Sequence, residues 1–363
     1  TGRVGAEADA VFGDRGRQGA LGVLVVEAFL LLHVLIGKAV EAAAGEVRAQ
    51  RIEDDRTLPP RAGAEEFDHQ QVVVAVHHQA RQAVAHDCRL CGQCLHGCPW
   101  GLIWSATAAL GTLHQNPAFS YRPGAIVRAL RERPDGLDLH LATGEALQAD
   151  RVFLGAGVLE SARILLASGI ARTLTLHDSA HGFLPFLHRW PAPNRPDRGP
   201  FHTLPQIFAE LDAPDLSPHS AHAQLYTWNE FFEADLLNSY ARRLPGSAPL
   251  FRALARRLIV AQIFLHSDLS ATASLTLAAD GRLSASVAEN PAKASAFTAA
   301  ARAYARAFRH AGLLPLTPAR RLNPAGSAFH AGATLPMSDN PAPGQSDRLA
   351  RPHGMSRLHL IDA

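Results

Sequence analysis

The chain has 363 residues, of which 47% are hydrophobic and 19% are charged, a balance that is ordinary for a folded globular protein. Its formal net charge is only +2, whereas nucleic-acid-binding proteins are usually strongly basic, so we expect no nucleic-acid partner. The length is sufficient for two domains that each bury a hydrophobic core.

The first part of the chain, residues 1 to about 85, carries no recognisable chemistry. Its most apolar run, Leu21–Ile36, is shorter than a membrane-spanning helix requires and is interrupted by Glu27 and His33. We therefore predict a buried helix there and no membrane span. Further along, Val72–Val76 predicts a short strand.

All four cysteines lie in one run, Cys88-Arg-Leu-Cys91-Gly-Gln-Cys94-Leu-His-Gly-Cys98-Pro99. The spacing C-x2-C-x2-C-x3-C-P is that of ferredoxin segments that bind iron–sulfur clusters, and Gly92 and Gly97 permit the sharp turns of such a loop. In two-cluster ferredoxins the fourth cysteine ligates the other cluster, and this chain has no further cysteine to replace it, so ligation by three thiolates is the easier geometry. The alternatives are a structural zinc site, and thiols that are reactive or merely buried.

A glycine-rich turn follows a series of short elements. Trp100–Gly111 predicts a helix, and Pro134-Asp135-Gly136 predicts a tight turn between two strands. The apolar strand Arg151–Leu154 leads into Gly155-Ala156-Gly157, and Glu160–Ser168 predicts the next helix. Small residues before a helix N-terminus suit a dinucleotide, but tight packing of a strand on a helix explains them equally well.

Residues 171–315 predict an antiparallel sheet backed by helices. The stretch His177–Pro205 is rich in proline and histidine, which predicts a linker or an irregular lid. His266 and Asp268 could line a site, although a buried polar pair in a sheet is the simpler interpretation. The predicted amphipathic helix covers 294–310. The predicted strands cover 202–211, 223–228, 258–266, 274–278 and 283–287.

His330 lies within Gly326-Ser-Ala-Phe-His-Ala-Gly-Ala-Thr-Leu-Pro-Met337. The small neighbours leave room for a cofactor ring and a substrate, and histidine is the usual group that takes a proton near neutral pH. The chain has 19 histidines, so the residue type alone does not select His330. The surrounding motif strengthens the case for His330 as a candidate.

Together these motifs resemble the glucose–methanol–choline (GMC) family of FAD-dependent oxidoreductases, in particular bacterial sugar and alcohol dehydrogenases that carry an iron–sulfur cluster. The resemblance runs from about Asp87 to Ala363, and the motifs follow the order of the family. The matching segments are Cys94–Gly101, Val152–Ser168, Thr203–Phe208, Gln224–Tyr226, Leu265–Asp268, Gly326–Met337 and Arg351–Ala363.

The resemblance implies an α/β (α+β) fold, in which a partial FAD-binding Rossmann-like domain carries an inserted antiparallel-sheet substrate domain. Residues 1–85 would be an atypical segment, and 86–170 would be the part of the FAD domain that holds the cysteines. The substrate domain would cover 171–315, and 316–363 would return to the FAD domain.

The resemblance also implies the chemistry. An alcohol or sugar would pass hydride from its CH–OH group to FAD, with His330 taking the proton. The cysteines would relay electrons to an external acceptor such as a cytochrome, which favours a dehydrogenase over an oxidase. The residues implied in binding FAD are Gly155, Ala156, Gly157 and Asp362, and those implied in holding the cluster are Cys88, Cys91, Cys94 and Cys98.

Two family features do not appear in the sequence. No strand with G-x-G-x-x-G opens the chain, since Gly13-Asp-Arg-Gly-Arg-Gln-Gly19 has the wrong spacing. The family also continues beyond the segment of Asp362 to a second catalytic His or Asn. We therefore expect a fragment, truncated at both ends, that binds FAD poorly or not at all. A non-catalytic remnant and an iron–sulfur electron-transfer protein are the alternative functions.

Overall fold

The structure is a computed structural model, and it describes residues 49–50, 71–76, 88–103, 105–189, 203–205, 207–328 and 330–362. The predicted helix at Leu21–Ile36 lies outside the described residues. The predicted strand at Val72–Val76 is confirmed, as part of a strand over Gln71–Val76.

The described residues form α-helices and β-strands in mixed order. The helices are α1 (Ala106–Leu113), α2 (Val158–Ala167), α3 (Glu230–Ser239), α4 (Ala248–Ala255) and α5 (Lys293–His310). The strands are β1 (Ala49–Gln50), β2 (Gln71–Val76), β3 (Val127–Arg133), β4 (Gly136–Leu141), β5 (Ala146–Ala149), β6 (Val152–Leu154), β7 (Leu174–Asp178), β8 (His181–His188), β9 (Ile207–Asp212), β10 (Ala221–Tyr226), β11 (Leu258–Phe264), β12 (Thr272–Leu277), β13 (Leu283–Ala288), β14 (Leu313–Pro315), β15 (Arg321–Leu322), β16 (Ala331–Gly332) and β17 (Leu358–Leu360).

The largest sheet has the order β1-β2-β9-β10-β11-β8-β14, and β15 also pairs with β8. Buried residues alternate along β9 and β10, as expected for strands with one face in a core. Helix α5 packs on that face through Phe297 and Tyr304, which are almost completely buried. The Tyr304 hydroxyl donates to the carbonyl oxygen of Ala221 at 2.6 Å and lies 3.1 Å from that of Ala209, so it ties the helix to two neighbouring strands.

A second core lies between α2 and three smaller sheets. These sheets are β13-β12-β7-β16, β3-β4-β5 and the parallel pair β6–β17. The core joins segments from both halves of the described chain, and its best-buried leucines are Leu137, Leu165, Leu174, Leu275 and Leu358. Because most strand pairs are antiparallel and helices and strands are mixed along the chain, the fold class is α+β, as predicted.

The predicted linker or lid at His177–Pro205 is wrong for its first half, which forms the end of β7 and all of β8. Strand β8 pairs with β11 on one side and with β14 and β15 on the other. Apolar side chains on its two faces, Phe183 and Phe186, are both buried, so burial stabilises the strand despite its composition. Residues 190–202 of the predicted lid lie outside the described residues.

Pro185 is tolerated inside β8 because of its position. Its carbonyl oxygen accepts from the N–H of Leu316, which follows β14. Since the nitrogen and the carbonyl of one residue point to the same side of an antiparallel strand, the ring nitrogen faces the gap between β14 and β15. No ladder hydrogen bond to β11 is therefore lost.

Most of the other predicted elements are confirmed with small shifts. The strand predicted over 202–211 begins at Ile207, and residues 202 and 206 lie outside the described residues. The helix predicted from Trp100 begins later, at Ala106. Gly101 donates its N–H to the carbonyl of Cys98 and has a φ of 64°, and this turn delays the helix. Among the described helices, none combines the length and the apolar character that crossing a membrane requires.

Gly182 in β8 is a position where we predict that a single methyl group destabilises the fold. A Cβ there would lie 2.3 Å from the carbonyl oxygen of Arg321 and 2.4 Å from the Phe297 ring. We expect Gly182→Ala to lower the free energy of unfolding by about 2–3 kcal/mol, measured by urea denaturation. The control is Gly111→Ala in α1, where a Cβ meets no atom within 4 Å. Equal effects of the two substitutions would contradict the close packing of Gly182 against Arg321 and Phe297.

Candidate functional site

The glycine turn after β6 makes a close contact with Asp362, which lies two residues beyond the end of β17. The N–H of Gly157 donates to Oδ2 of Asp362 at 2.5 Å, and the Ser161 hydroxyl donates to the same oxygen at 2.8 Å. The Ala156 N–H in turn donates to the Ser161 hydroxyl at 3.2 Å. The parallel pairing of Leu360 with Leu154 sets this register. Two of the residues implied in binding FAD, Gly157 and Asp362, are thus brought into contact.

The two glycines of the turn have different physical roles. A Cβ on Gly155 would lie 2.8 Å from the Ile361 side chain, so Gly155 allows close packing of the two chain segments. Gly157 is the N-cap of α2 with a φ of 86° and open space where a Cβ would lie. Glycine is therefore favoured at this position by its positive φ and not by a lack of space. The carboxylate of Asp362 supplies the negative charge that a helix N-terminus favours.

Asp362 should stabilise the fold through the two hydrogen bonds that it accepts. Asp362→Ala leaves the Gly157 N–H and the Ser161 hydroxyl without their acceptor, and we expect the free energy of unfolding to fall by about 1–2 kcal/mol. Urea denaturation measures the change. Asp150→Ala, at an exposed turn, is the control and should change stability by less than about 0.5 kcal/mol. Indistinguishable effects would contradict the capping role of Asp362.

His330 lies at the surface immediately before β16. Its loop is fastened to β7, because Ala331 pairs with Asp178 and the Asp178 carboxylate accepts from the Gly326 N–H at 3.0 Å. Behind the loop, His181 is buried and its Nε2 lies 2.8 Å from the side-chain amide nitrogen of Asn323. Burial lowers the pKa of His181, and the nearby His330 lowers it further. His181 is therefore the neutral neighbour of an exposed histidine.

The structure does not join His330 to the other predicted site residues by hydrogen bonds. Among the described residues, no hydrogen bond links His330 to Gly157, Asp362 or a cysteine. His330 precedes a strand of the β13-β12-β7-β16 sheet, whereas the glycine turn follows the β6–β17 pair. Both sheets contribute to the second core.

The cysteine run forms a loop with a short 3-10 turn at Cys94–His96. Gly92 and Gly97 have φ values of 72° and 90°, which confirms the predicted use of glycine at the sharp turns. The one group of three metal-ligating side chains among the described residues whose ligand atoms lie within 4.8 Å contains no cysteine. Tetrahedral zinc holds its sulfur ligands about 3.8 Å apart. The thiols are thus not arranged as a preformed zinc site.

Backbone N–H groups surround the sulfur of Cys98. The Leu102 N–H lies 3.4 Å from Sγ and is the main cause of a lowered pKa of the thiol. Burial acts in the opposite direction, and further N–H groups of residues 100, 101 and 103 add to the lowering. This arrangement favours a thiolate, the form that binds iron or zinc and that acts as a nucleophile.

The lowered pKa predicts the order in which the thiols react. Since a lower pKa gives more thiolate near neutral pH, iodoacetamide should modify Cys98 before Cys91 in reduced, chelator-treated protein, although Cys91 is the more exposed. The rate at Cys98 should rise with pH at a lower midpoint than that of an ordinary thiol, because its pKa is lowered. Peptide mass spectrometry measures both. Faster labelling of Cys91 would be inconsistent with the N–H contacts to Cys98.

His96 attaches the cysteine loop to helix α3. Its Nε2 contacts the Glu230 carboxylate, and its ring lies 4.2 Å from the Phe231 ring, centroid to centroid. Glu230 and Phe231 are the first residues of α3. Sequence reasoning missed this contact because its partners lie 134 residues apart and carry no local signal.

A separate cluster lies at the turn after β11. His266 and Asp268 are 40% and 37% exposed, so the expectation of a buried polar pair in a sheet is wrong. His219, which sequence reasoning missed, stacks on His266 with ring centroids 3.7 Å apart. Burial acts to raise the pKa of Asp268, but hydrogen bonds from Ser217 and His266 outweigh it and leave that pKa lowered.

The comparisons with known proteins are negative: no protein-family model matches the chain, and no curated protein matches it. The resemblance to the GMC family therefore depends on the motifs in the sequence.

Proposed function

We propose that this chain is a flavin-linked oxidoreductase of the GMC type that acts on the CH–OH group of an alcohol or a sugar. The observation that carries the proposal is the contact between Gly157 and Asp362, which lie 205 residues apart. Both belong to segments that resemble the family, and their contact joins a strand, a glycine turn and a helix N-terminus. Such a unit is typical of Rossmann-like folds, the finer fold that we propose for this part of the chain.

An unpaired acceptor in this unit is suited to FAD. Oδ1 of Asp362 is buried and has no hydrogen-bond partner among the described residues. A buried acceptor without a donor is unfavourable, and a hydroxyl group of FAD would supply the donor. FAD, when bound, accepts hydride from the alcohol carbon. The residues that would hold it are the backbone of Gly155, Ala156 and Gly157 and the carboxylate of Asp362.

His330 would take the proton of the substrate hydroxyl. Its side chain is exposed, and no hydrogen bond to another described residue occupies its ring nitrogens. The buried neighbour His181 has a lowered pKa and is neutral near pH 7, so it adds no positive charge beside His330. The fastening of the loop to Asp178 limits the freedom of the base.

The cysteines would hold an iron–sulfur cluster, which supplies a route for electrons to an external acceptor such as a cytochrome. Hydrogen bonds to ligand sulfurs are one way in which a protein sets the potential of a cluster, and Cys98 receives such bonds. Contacts of His96 with Glu230 hold this loop against α3. Zinc is the alternative occupant of the same thiols.

A second candidate is an iron–sulfur electron-transfer protein without oxidoreductase activity. The observation that favours it is again at Gly157, whose N–H is already bonded to a carboxylate. A negative charge at this helix N-terminus opposes the binding of a pyrophosphate there. In this case the cluster would be present, but FAD would not bind.

The two candidates differ in flavin binding and in turnover. For the first, anaerobically purified chain should contain iron and sulfide, quench FAD fluorescence with a defined stoichiometry, and reduce a dye when an alcohol or sugar is added. Stoichiometric FAD binding would overturn the expectation from the sequence that the chain binds FAD poorly or not at all. His330→Ala should lower kcat by roughly 10²–10⁴-fold and leave FAD binding unchanged, because only the proton acceptor is removed. His140→Ala, an exposed histidine on β4, is the matched control and should leave kcat unchanged.

The outcomes separate the proposals. Bound iron and sulfide without FAD binding or dye reduction would overturn the oxidoreductase and support the electron-transfer protein. Stoichiometric zinc without iron would overturn the role of the cysteines as an electron route. Full activity of His330→Ala would overturn the assignment of the base.

A further inference from the structure

Three metal-ligating side chains converge from two connections at one end of the largest sheet. His219 lies in the connection between β9 and β10, and His266 and Asp268 lie in the connection between β11 and β12. One ligand atom from each, a ring nitrogen or a carboxylate oxygen, lies within 4.8 Å of the other two. The proposed oxidoreductase function uses none of these residues.

The spacing of the ligand atoms fits a small metal ion. Nδ1 of His266 lies 3.1 Å from Oδ1 of Asp268. Zinc binds nitrogen and oxygen ligands at about 2.0–2.2 Å, so two ligands at a tetrahedral zinc lie about 3.3 Å apart. Exposed imidazoles rotate readily, and the stacked His219 ring is already beside the pair. Two imidazoles and one carboxylate are a ligand set typical of zinc, whereas calcium and magnesium prefer oxygen alone.

A buried hydroxyl links the two connections and orients the ligands. Ser217 is 6% exposed, and its hydroxyl donates to Oδ2 of Asp268 at 2.8 Å. The same hydroxyl accepts from the backbone N–H of His219 at 3.0 Å. One carboxylate oxygen is thus held, and the other is directed toward His266. The Asn290 side chain also donates to the carbonyl oxygen of Asp268 at 2.7 Å. Outer contacts of this kind are what fixes the ligands of metal sites in proteins.

We propose that His219, His266 and Asp268 bind one zinc ion, with water completing the coordination. The ion cross-links the connection between β9 and β10 to the connection between β11 and β12. The two connections are neighbours because β10 pairs with both β9 and β11, so the ion joins loops that already lie side by side. The site is separate from the cysteine loop and does not depend on the proposed oxidoreductase function.

A neighbouring pair provides a matched control. His222 of β10 contacts the Glu210 carboxylate of β9, which is also a partly exposed histidine–carboxylate pair. In the part of the chain that the structure describes, this pair is not joined by a third ligand within the same distance. It therefore tests whether any such pair binds zinc or whether the third ligand is required.

The experiment is zinc binding to the full chain, measured as bound metal after equilibrium dialysis against micromolar zinc. The cysteines can hold zinc in every variant, so the informative quantity is the difference between variants. Wild type should bind one equivalent more than the double variant with His219→Ala and His266→Ala, and His222→Ala should bind as much as wild type. Ser217→Ala keeps all three ligands and should weaken the affinity by about tenfold.

Cobalt provides a second measurement that distinguishes the two kinds of ligand. Subtracting the cobalt spectrum of the double variant from that of wild type should leave visible d–d bands without a thiolate charge-transfer band, because the cysteines bind cobalt equally in both, while circular dichroism shows that the double variant is folded. Zinc should also raise the Tm of wild type by several degrees more than that of the variant. Equal zinc stoichiometry of wild type and double variant, or loss of the same equivalent in His222→Ala, would overturn the proposal.

Discussion

The proposed FAD-binding turn depends on the hydrogen bonds that the carboxylate of Asp362 accepts. This carboxylate accepts from the Gly157 N–H and the Ser161 hydroxyl, and it occupies this position only because β17 pairs in register with β6. A shift of one residue would turn every side chain of β17 to the opposite face of the sheet and would remove the carboxylate from the turn. Close packing of Gly155 on Ile361 opposes such a shift, since no larger residue fits there. The backbone geometry of the turn is therefore set by a segment from the other end of the described chain.

Elements with a one-sided core are among the parts of the fold that could be predicted from the sequence. Strands β9 and β10 alternate between buried and partly exposed residues, and α5 places alanines and Phe297 on one face, so the periodicity reveals each of them. Strand β8 could not be recognised in this way. Its residues are buried on both faces, between α5 and the cluster of Phe183, Leu258 and Val260, so its sequence shows no alternation. Its histidines and Pro185 suggested a lid instead.

The same distinction holds for the candidate sites. Spacing alone located the cysteine loop and the use of glycine at its turns, because those constraints act within a few residues. The N–H groups around Cys98 and the contact of His96 with Glu230 depend on how the backbone folds, which spacing does not specify. His219 was missed for a similar reason: it is one histidine among 19, and only the pairing of β10 with β11 brings its loop to His266. Long-range strand pairing is thus the information that a motif search lacks.

The position of β8 also has a consequence for how the chain folds. This strand, at His181–His188, pairs with β11 on one edge and with β14 and β15, up to Leu322, on the other. During synthesis, more than a third of the described chain must be made after β8 before both of its edges can pair. Folds dominated by such distant pairings form slowly. Until the partners arrive, Phe183 and Phe186 remain available to other unfinished chains, so the yield of soluble protein depends on the time between the synthesis of β8 and that of α5.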